Sequence, residues 1–204
     1  MRAVKYIGVA TALALAAAGC NGDEDTASPS AVPAGLESFY EQKPSWKDCE
    51  DGFECTTVEV PLDYSKPSGD KLGISVIRLP AQDSSDRIGS LLTNPGGPGG
   101  SGVDFVRQVG RAFGADLRKR FDIVGFDPRG VAGSDPVAQL DDFFSTDASP
   151  DDEQETRALG TEGEEFAQNC ETKAADKLPH VGTVNAARDM DVLRAALGDD
   201  KLTY

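Results

Sequence analysis

Histidine is almost missing from this sequence: His180 stands alone among 204 residues, with no neighbouring ligand pair, so no zinc-type site can be assembled around it. A lone histidine of this kind reads as structural rather than as a catalytic base. A serine framed as G-x-S-x-G is missing too. Ser101 and Ser134 each follow a glycine, but Val103 and Pro136 stand where the closing glycine belongs, so neither matches the strained turn that exposes a nucleophile. No Lys-Ser or Lys-Thr follows the main glycine cluster, which argues against a P-loop. Basic residues are scarce, 20 against 35 acidic ones, and the net charge of −15 argues against nucleic acid as a partner. The acidic stretch 147–165 lacks the Asp-x-Asp-x-Asp-Gly spacing of a calcium loop and reads as a solvated excursion. There is no internal repeat, and no metal or cofactor is expected.

What is present begins with an export signal. Arg2 and Lys5 precede an apolar stretch, Ile7 to Ala18, too short to span a bilayer, and residues 1–19 read as a signal peptide. "AAGC" resembles the lipobox of bacterial lipoproteins, with Ala17 where Leu is usual. Cys20 would then be a lipidated N-terminus anchoring the protein to the membrane outside the cytoplasm; ordinary cleavage and free secretion is the alternative. Residues 20–45, small, polar and acidic, read as a tether. The folded domain is placed at 46–204, long enough for one core. In an exported chain, Cys49 and Cys55 around an Asp-Gly turn suggest a small disulfide loop. Cys170 is left over, either free or paired beyond residue 204.

Apolar periodicity gives the elements. Val58, Val60 and Leu62 alternate within 55–64, and 72–80 is rich in β-branched residues, so 55–80 predicts a hairpin. The pattern then changes to continuous apolar runs at 88–94 and 121–127, the mark of strands buried on both faces. Between them Val103, Val106, Val109 and Phe113 predict a helix over 103–114, capped by Ser101 and ended by Gly114. Strand, helix and strand in this span make a parallel βαβ unit, and the fold class is α/β. A second helix is expected over 184–197, with Thr183 as cap, Gly198 beyond its end, and Ala187, Met190, Leu193 and Leu197 on its apolar face. "KLTY" reads as the start of a further strand.

Two glycine-bearing loops, "NPGGPGGSG" and "DPRGVAGSD", follow the two buried strands and should face one crevice. One chemistry that needs such bare backbone is dinucleotide binding. Gly97, Gly99 and Gly102 spell G-x-G-x-x-G, with Asp127 at the next strand end. Pro98 inside the fingerprint, the preceding hairpin and the export signal all oppose that reading. The other chemistry is an oxyanion hole, in which backbone N–H groups of a rigid turn stabilise charge developing on a carbonyl oxygen. Asp127 and Arg129 read as holding each other's loop rather than as acid or base.

These motifs, with "VEVPLDYSKP" upstream and "LPHVGTVNAARDMDVLRAALG" downstream, closely resemble the exported tripeptidyl aminopeptidases of the α/β-hydrolase superfamily, relatives of proline iminopeptidase. The resemblance spans residues 46–204 and implies an incomplete α/β-hydrolase fold that stops before the nucleophile elbow. It implies that the loop matching Pro95, Gly96, Gly97, Pro98 and Gly99 supplies one oxyanion-hole N–H, from Gly96 or Gly97. The "DPRG" turn, with Asp127, Arg129 and Gly130, lies beside the active site as architecture. None of the Ser, Asp and His of the triad is expected within 204 residues, so the chain by itself should be inactive, with a peptide as the substrate of the whole protein. A non-catalytic peptide-binding chain, or a remnant, is the alternative.

Overall fold

The computed structural model describes residues 32–137 and 146–204. The signal peptide, Cys20 with its lipobox and the first part of the tether lie outside the described residues. Among the described residues five strands form one mixed sheet: β1 (Lys47–Asp48), β2 (Glu54–Pro61), β3 (Lys71–Leu79), β4 (Gly89–Thr93) and β5 (Phe121–Phe126), in the order β1-β2-β3-β5-β4. β2 and β3 are the expected antiparallel hairpin, β5 runs antiparallel to β3, and β4 lies parallel to β5. Beyond β4, Leu91 bridges Thr203 in parallel and the Leu92 N–H donates to the Thr203 carbonyl at 2.9 Å, so "KLTY" reaches the sheet edge as expected.

The continuous apolar runs exist because the sheet is covered on both faces. Neighbouring residues point to opposite sides, and Val124 joins one cluster with Val58, Val60, Ile74 and Val76, while Ile123 joins the other with Phe53, Ile77, Leu79 and Val106. Helix α1 (Glu37–Tyr40) and helix α5 (Thr183–Ala196) cover the first face through Leu36, Phe39, Val192, Leu193 and Ala196. Helix α2 (Gly102–Val109) covers the second through Val106. Full burial of each such side chain contributes about 1.5–3 kcal/mol. α2 seats directly on β5, for a Cβ on Gly102 would lie 2.1 Å from the Phe126 carbonyl oxygen. Only bare backbone fits there.

Several boundaries differ from the sequence reading, each for a physical reason. The tether was placed at 20–45, yet Leu36 and Phe39 are buried in the core, so folded structure starts before residue 46. Two apolar side chains in a polar stretch were too few to show a period. The helix expected over 103–114 ends at Val109, passes through a 3-10 turn at Gly110–Ala112, and Gly114 opens a further helix, α3 (Ala115–Arg120), instead of closing one. Thr183 is the first residue of α5 rather than its cap; Gly182 occupies that position without a side-chain bond. The buried face of α5 is Asp189, Val192, Leu193 and Ala196, and Ala187 is exposed. The acidic excursion is largely helical: α4 (Glu153–Ala174) is capped by Asp152, whose carboxylate accepts from the N–H groups of Gln154 and Glu155. Acids in its first turn favour it electrostatically, and because only Ala174 is buried it shows little apolar period. The Cys49–Cys55 disulfide is formed, around a turn in which Glu50, Asp51 and Gly52 all have positive φ, and Cys170 has no disulfide partner among the described residues.

Candidate active site

Because β4 and β5 are parallel, their carboxyl ends open on one edge, and both glycine loops meet there around a crevice of about 620 Å³. Phe126 and Met190 give it an apolar lining, Gly96 to Gly100 form one wall, Pro128, Val131 and Val181 form another, and Tyr204 also lines it. Its lining is mostly apolar with few polar groups, as is usual for sites that take small organic ligands.

The first loop is almost all backbone, exposed from Asn94 to Gly99. Gly96, Gly97 and Gly99 have φ of 75°, 133° and 91°, a region L side chains avoid, and the Gly97–Pro98 peptide is cis. The Asn94 side-chain oxygen accepts from the Gly96 N–H at 3.0 Å, and the Gly100 N–H closes the turn on the Gly96 carbonyl at 3.1 Å. The two amides singled out in the sequence therefore differ. That of Gly96 is engaged, whereas that of Gly97 meets no acceptor among the described residues.

The second loop is saturated with bonds. Asp127, 3% exposed, accepts from the Ser101 hydroxyl at 2.7 Å and the Val103 N–H at 3.1 Å through Oδ1, and from the Gly133 N–H at 2.9 Å through Oδ2. Ser101 also caps α2 by accepting from the Asp104 N–H. Ser134, fully buried, donates to the Asp127 carbonyl and accepts from the Ser75 N–H. Neither serine has a histidine partner among the described residues, and both are structural. Gly130 has φ of 78°, and a Cβ there would lie 2.9 Å from Val181.

Arg129 does not pair with Asp127, contrary to the sequence reading. It forms a bidentate pair with Asp189 of α5, Nε to Oδ2 at 2.7 Å and Nη2 to Oδ1 at 2.6 Å, with both side chains 1% exposed. The three remaining guanidinium N–H groups donate to the carbonyls of Leu62, His180 and Pro61. All five donors are used, which is what a buried charge requires. The Tyr64 hydroxyl donates to Asp189 as well. Burial pushes the Asp189 carboxyl up, against the opposing pull of Arg129 and Tyr64, and burial together with Asp189 pushes the Tyr64 phenol up. His180 takes part through its backbone, its carbonyl accepting from Arg129 and the Asn185 side chain and its N–H donating to the Lys177 carbonyl.

The sequence reading missed Asn94, Tyr64 and Asp189. Asp189 was detectable, since it falls in register with Val192, Leu193 and Ala196, and an acid on an apolar face needs a buried partner. The structure also removes the dinucleotide reading. The Asp127 carboxylate occupies the N-terminus of α2, where a pyrophosphate would sit, and is itself enclosed and unable to reach a ribose. Among the described residues no group of three His, Cys, Asp or Glu could hold a metal ion, and no helix is long and apolar enough to cross a membrane.

Comparison with known proteins finds hydrolases among the similar chains. The chain is 43% identical over 160 residues to the serine protease Hip1 of Mycobacterium tuberculosis (strain ATCC 25618 / H37Rv), covering 75% of this chain and 30% of that protein. It is 41% identical over 173 residues to the tripeptidyl aminopeptidase of Streptomyces lividans, covering 78% and 32%. To carboxylesterase B of Mycobacterium tuberculosis (strain ATCC 25618 / H37Rv) it is 39% identical over 169 residues, covering 74% and 32%. The chain thus spans about a third of the length of the curated relatives it matches. Residues 89–204 match the family of the alpha/beta hydrolase fold. That match runs from β4 to the last residue and takes in both loops of the crevice, and the chain belongs to the α/β-hydrolase family.

Proposed function

We propose that this chain is the N-terminal part of an exported serine peptidase that takes oligopeptides by their free N-terminus and releases short, tripeptidyl-type products. The observation that carries the reading is the glycine turn beside the crevice, held at positive φ, whose Gly97 amide meets no acceptor among the described residues. An amide so held is what a developing oxyanion needs, and it requires no reorganisation when the charge forms. The names of the relatives at 43% and 41% identity support peptide bonds as the target.

In this reading a serine on the turn after the strand that starts at Thr203 attacks the scissile carbonyl and passes its proton to a histidine. The oxyanion accepts from the Gly97 N–H, the amine leaves with the proton, and water hydrolyses the acyl-enzyme. The serine, acid and histidine would come from sequence after Tyr204. The 204-residue chain alone would be inert. Cys20 would carry the lipid that holds the protein on the outer face of the membrane.

The test is a pair of assays on the full gene product and on the 204-residue chain. The full product should cleave a tripeptidyl anilide with a free amine, spare the same compound N-acylated, and be silenced by a serine-directed phosphonate; the short chain should do nothing. Turnover by the short chain, or indifference to the free amine, would overturn the proposal. Similarity to a carboxylesterase favours a second reading, and preference for a p-nitrophenyl ester over every peptide would select it. Metabolic labelling with a fatty acid, lost on Cys20→Ala, tests the anchor.

A further inference from the structure

We infer that Asp127 is a positioning residue for the oxyanion loop, an inference that rests on the peptidase reading above. A turn made of glycines and prolines has almost no side chains with which to pack, so its place is inherited from its two ends. At the front end, Asn94 follows β4 and holds the Gly96 amide. At the rear end, the loop passes through Ser101 into α2, and there Asp127 takes both the Ser101 hydroxyl and the Val103 N–H on one carboxylate oxygen. The other oxygen takes the Gly133 N–H of the second loop at 2.9 Å. One carboxylate therefore ties the loop that is poor in side chains to the saturated one. Gly102, with no room for a Cβ against the Phe126 carbonyl, brings α2 close enough for that bond.

The group is fitted to the task. Among the described residues Asp127 forms no ion pair, and it is 3% exposed, so its charge is balanced by these three donors and the α2 N-terminus. Its own backbone is pinned as well, its N–H donating to the Ser75 carbonyl and its carbonyl accepting from Ser134. An asparagine has the same shape but one oxygen. If its NH2 group faces Gly133 it meets a donor, and if it faces Val103 it meets another donor. Either way one loop is released while most of the volume stays filled.

The experiment uses the full gene product with Asp127→Asn and, as a milder change that keeps the carboxylate, Ser101→Ala. Turnover of a tripeptidyl anilide is measured beside binding of a tripeptide boronic acid, which mimics the tetrahedral oxyanion, and of the product tripeptide, which does not. A displaced oxyanion donor should lower kcat by roughly 10- to 100-fold for Asp127→Asn, with KM nearly unchanged. Boronate affinity should fall by a similar factor and tripeptide affinity should hold. Ser101→Ala should move the same quantities in the same direction by about 3- to 10-fold, and it carries the test if the asparagine variant does not fold. Unchanged kcat and boronate affinity with only a lower melting temperature would overturn the inference and leave the peptidase reading intact. A wild-type protein that neither turns over the anilide nor binds the boronate would overturn both.

Discussion

The two glycine loops of the crevice have similar sequences and opposite constructions. In the second, Asp127, Arg129 and Ser134 are all buried, and every side-chain donor and acceptor that could be orphaned has a partner. In the first, residues 94–99 are exposed, the side-chain bond is a single one from Asn94, and the Gly97 amide, at the lining of the crevice, meets no acceptor among the described residues. Glycine does different work in each. In the first loop it permits positive φ and lets a ligand approach the backbone; at Gly130 it avoids Val181 as well. Rigidity and availability are thus divided between neighbours, with the Asp127 carboxylate joining them.

The largest expected effect lies in the second loop. Arg129→Met leaves the Asp189 charge buried without its partner, and loss of one member of such a pair costs about 3–5 kcal/mol. Urea denaturation should show this, or the protein should fail to fold. Pairing the change with Asp189→Leu should recover most of the loss, because two apolar groups need no hydrogen bonds. No recovery would mean that the guanidinium's bonds to the carbonyls of Pro61, Leu62 and His180 matter more than the ion pair. Ser134→Ala comes next, at about 1–3 kcal/mol, since it strands the Ser75 N–H and the Asp127 carbonyl in the interior.

How far this division could be read in the sequence depends on which interactions repeat at short range. The hairpin, the βαβ unit, the Ser101 cap and the Cys49–Cys55 loop are local or periodic, and all were legible. The partner of Arg129 was not, because Asp189 lies 60 residues away on another element. Proximity in "DPRG" suggested Asp127 instead, an inference from neighbours that the turn geometry defeats. α4 was missed for the opposite reason: its stability rests on capping, helix-forming residues and the placement of acids, none of which produces an apolar stripe. The split between Gly96 and Gly97 was half legible. The family resemblance points to these two amides as candidate donors, but it takes the Asn94 side chain to show that one of them is already bonded.

Alkaline titration probes a different contact of α5, the Tyr40 hydroxyl donating to Asp191. Burial, reinforced by Asp191, pushes the Tyr40 phenol up to about 12, whereas in the unfolded chain it titrates near its ordinary value of about 10. A raised folded value means that the contribution to stability is complete below pH ~10 and is lost as pH rises toward ~12. Denaturation midpoints should fall across that window, modestly, because Tyr40 is only half-buried and solvent screens it. Tyr40→Phe should reduce the fall without abolishing it, because the Tyr64 phenol is raised as well and contributes the remainder. The first loop holds no titratable group between Asn94 and Gly100, so its geometry should not contribute to this edge.

The smallest effect on stability is expected from Asn94→Ala, and it sharpens the contrast most. The bond to the Gly96 N–H is exposed and water can replace it, so the cost should be about 0.5 kcal/mol. Its effect on function in the full gene product should be out of proportion to that figure. With the front anchor gone, the turn can rotate, and a misplaced oxyanion donor lowers kcat by about tenfold or more, roughly 1.4 kcal/mol or above in the transition state. Equilibrium denaturation and steady-state kinetics on the same variant give the two numbers. If stability falls as steeply as it does for Ser134→Ala, the first loop is built like the second and the division of labour is wrong. If kcat falls while the fold holds, the loop's exposed bond exists to aim the Gly97 amide rather than to hold the protein together.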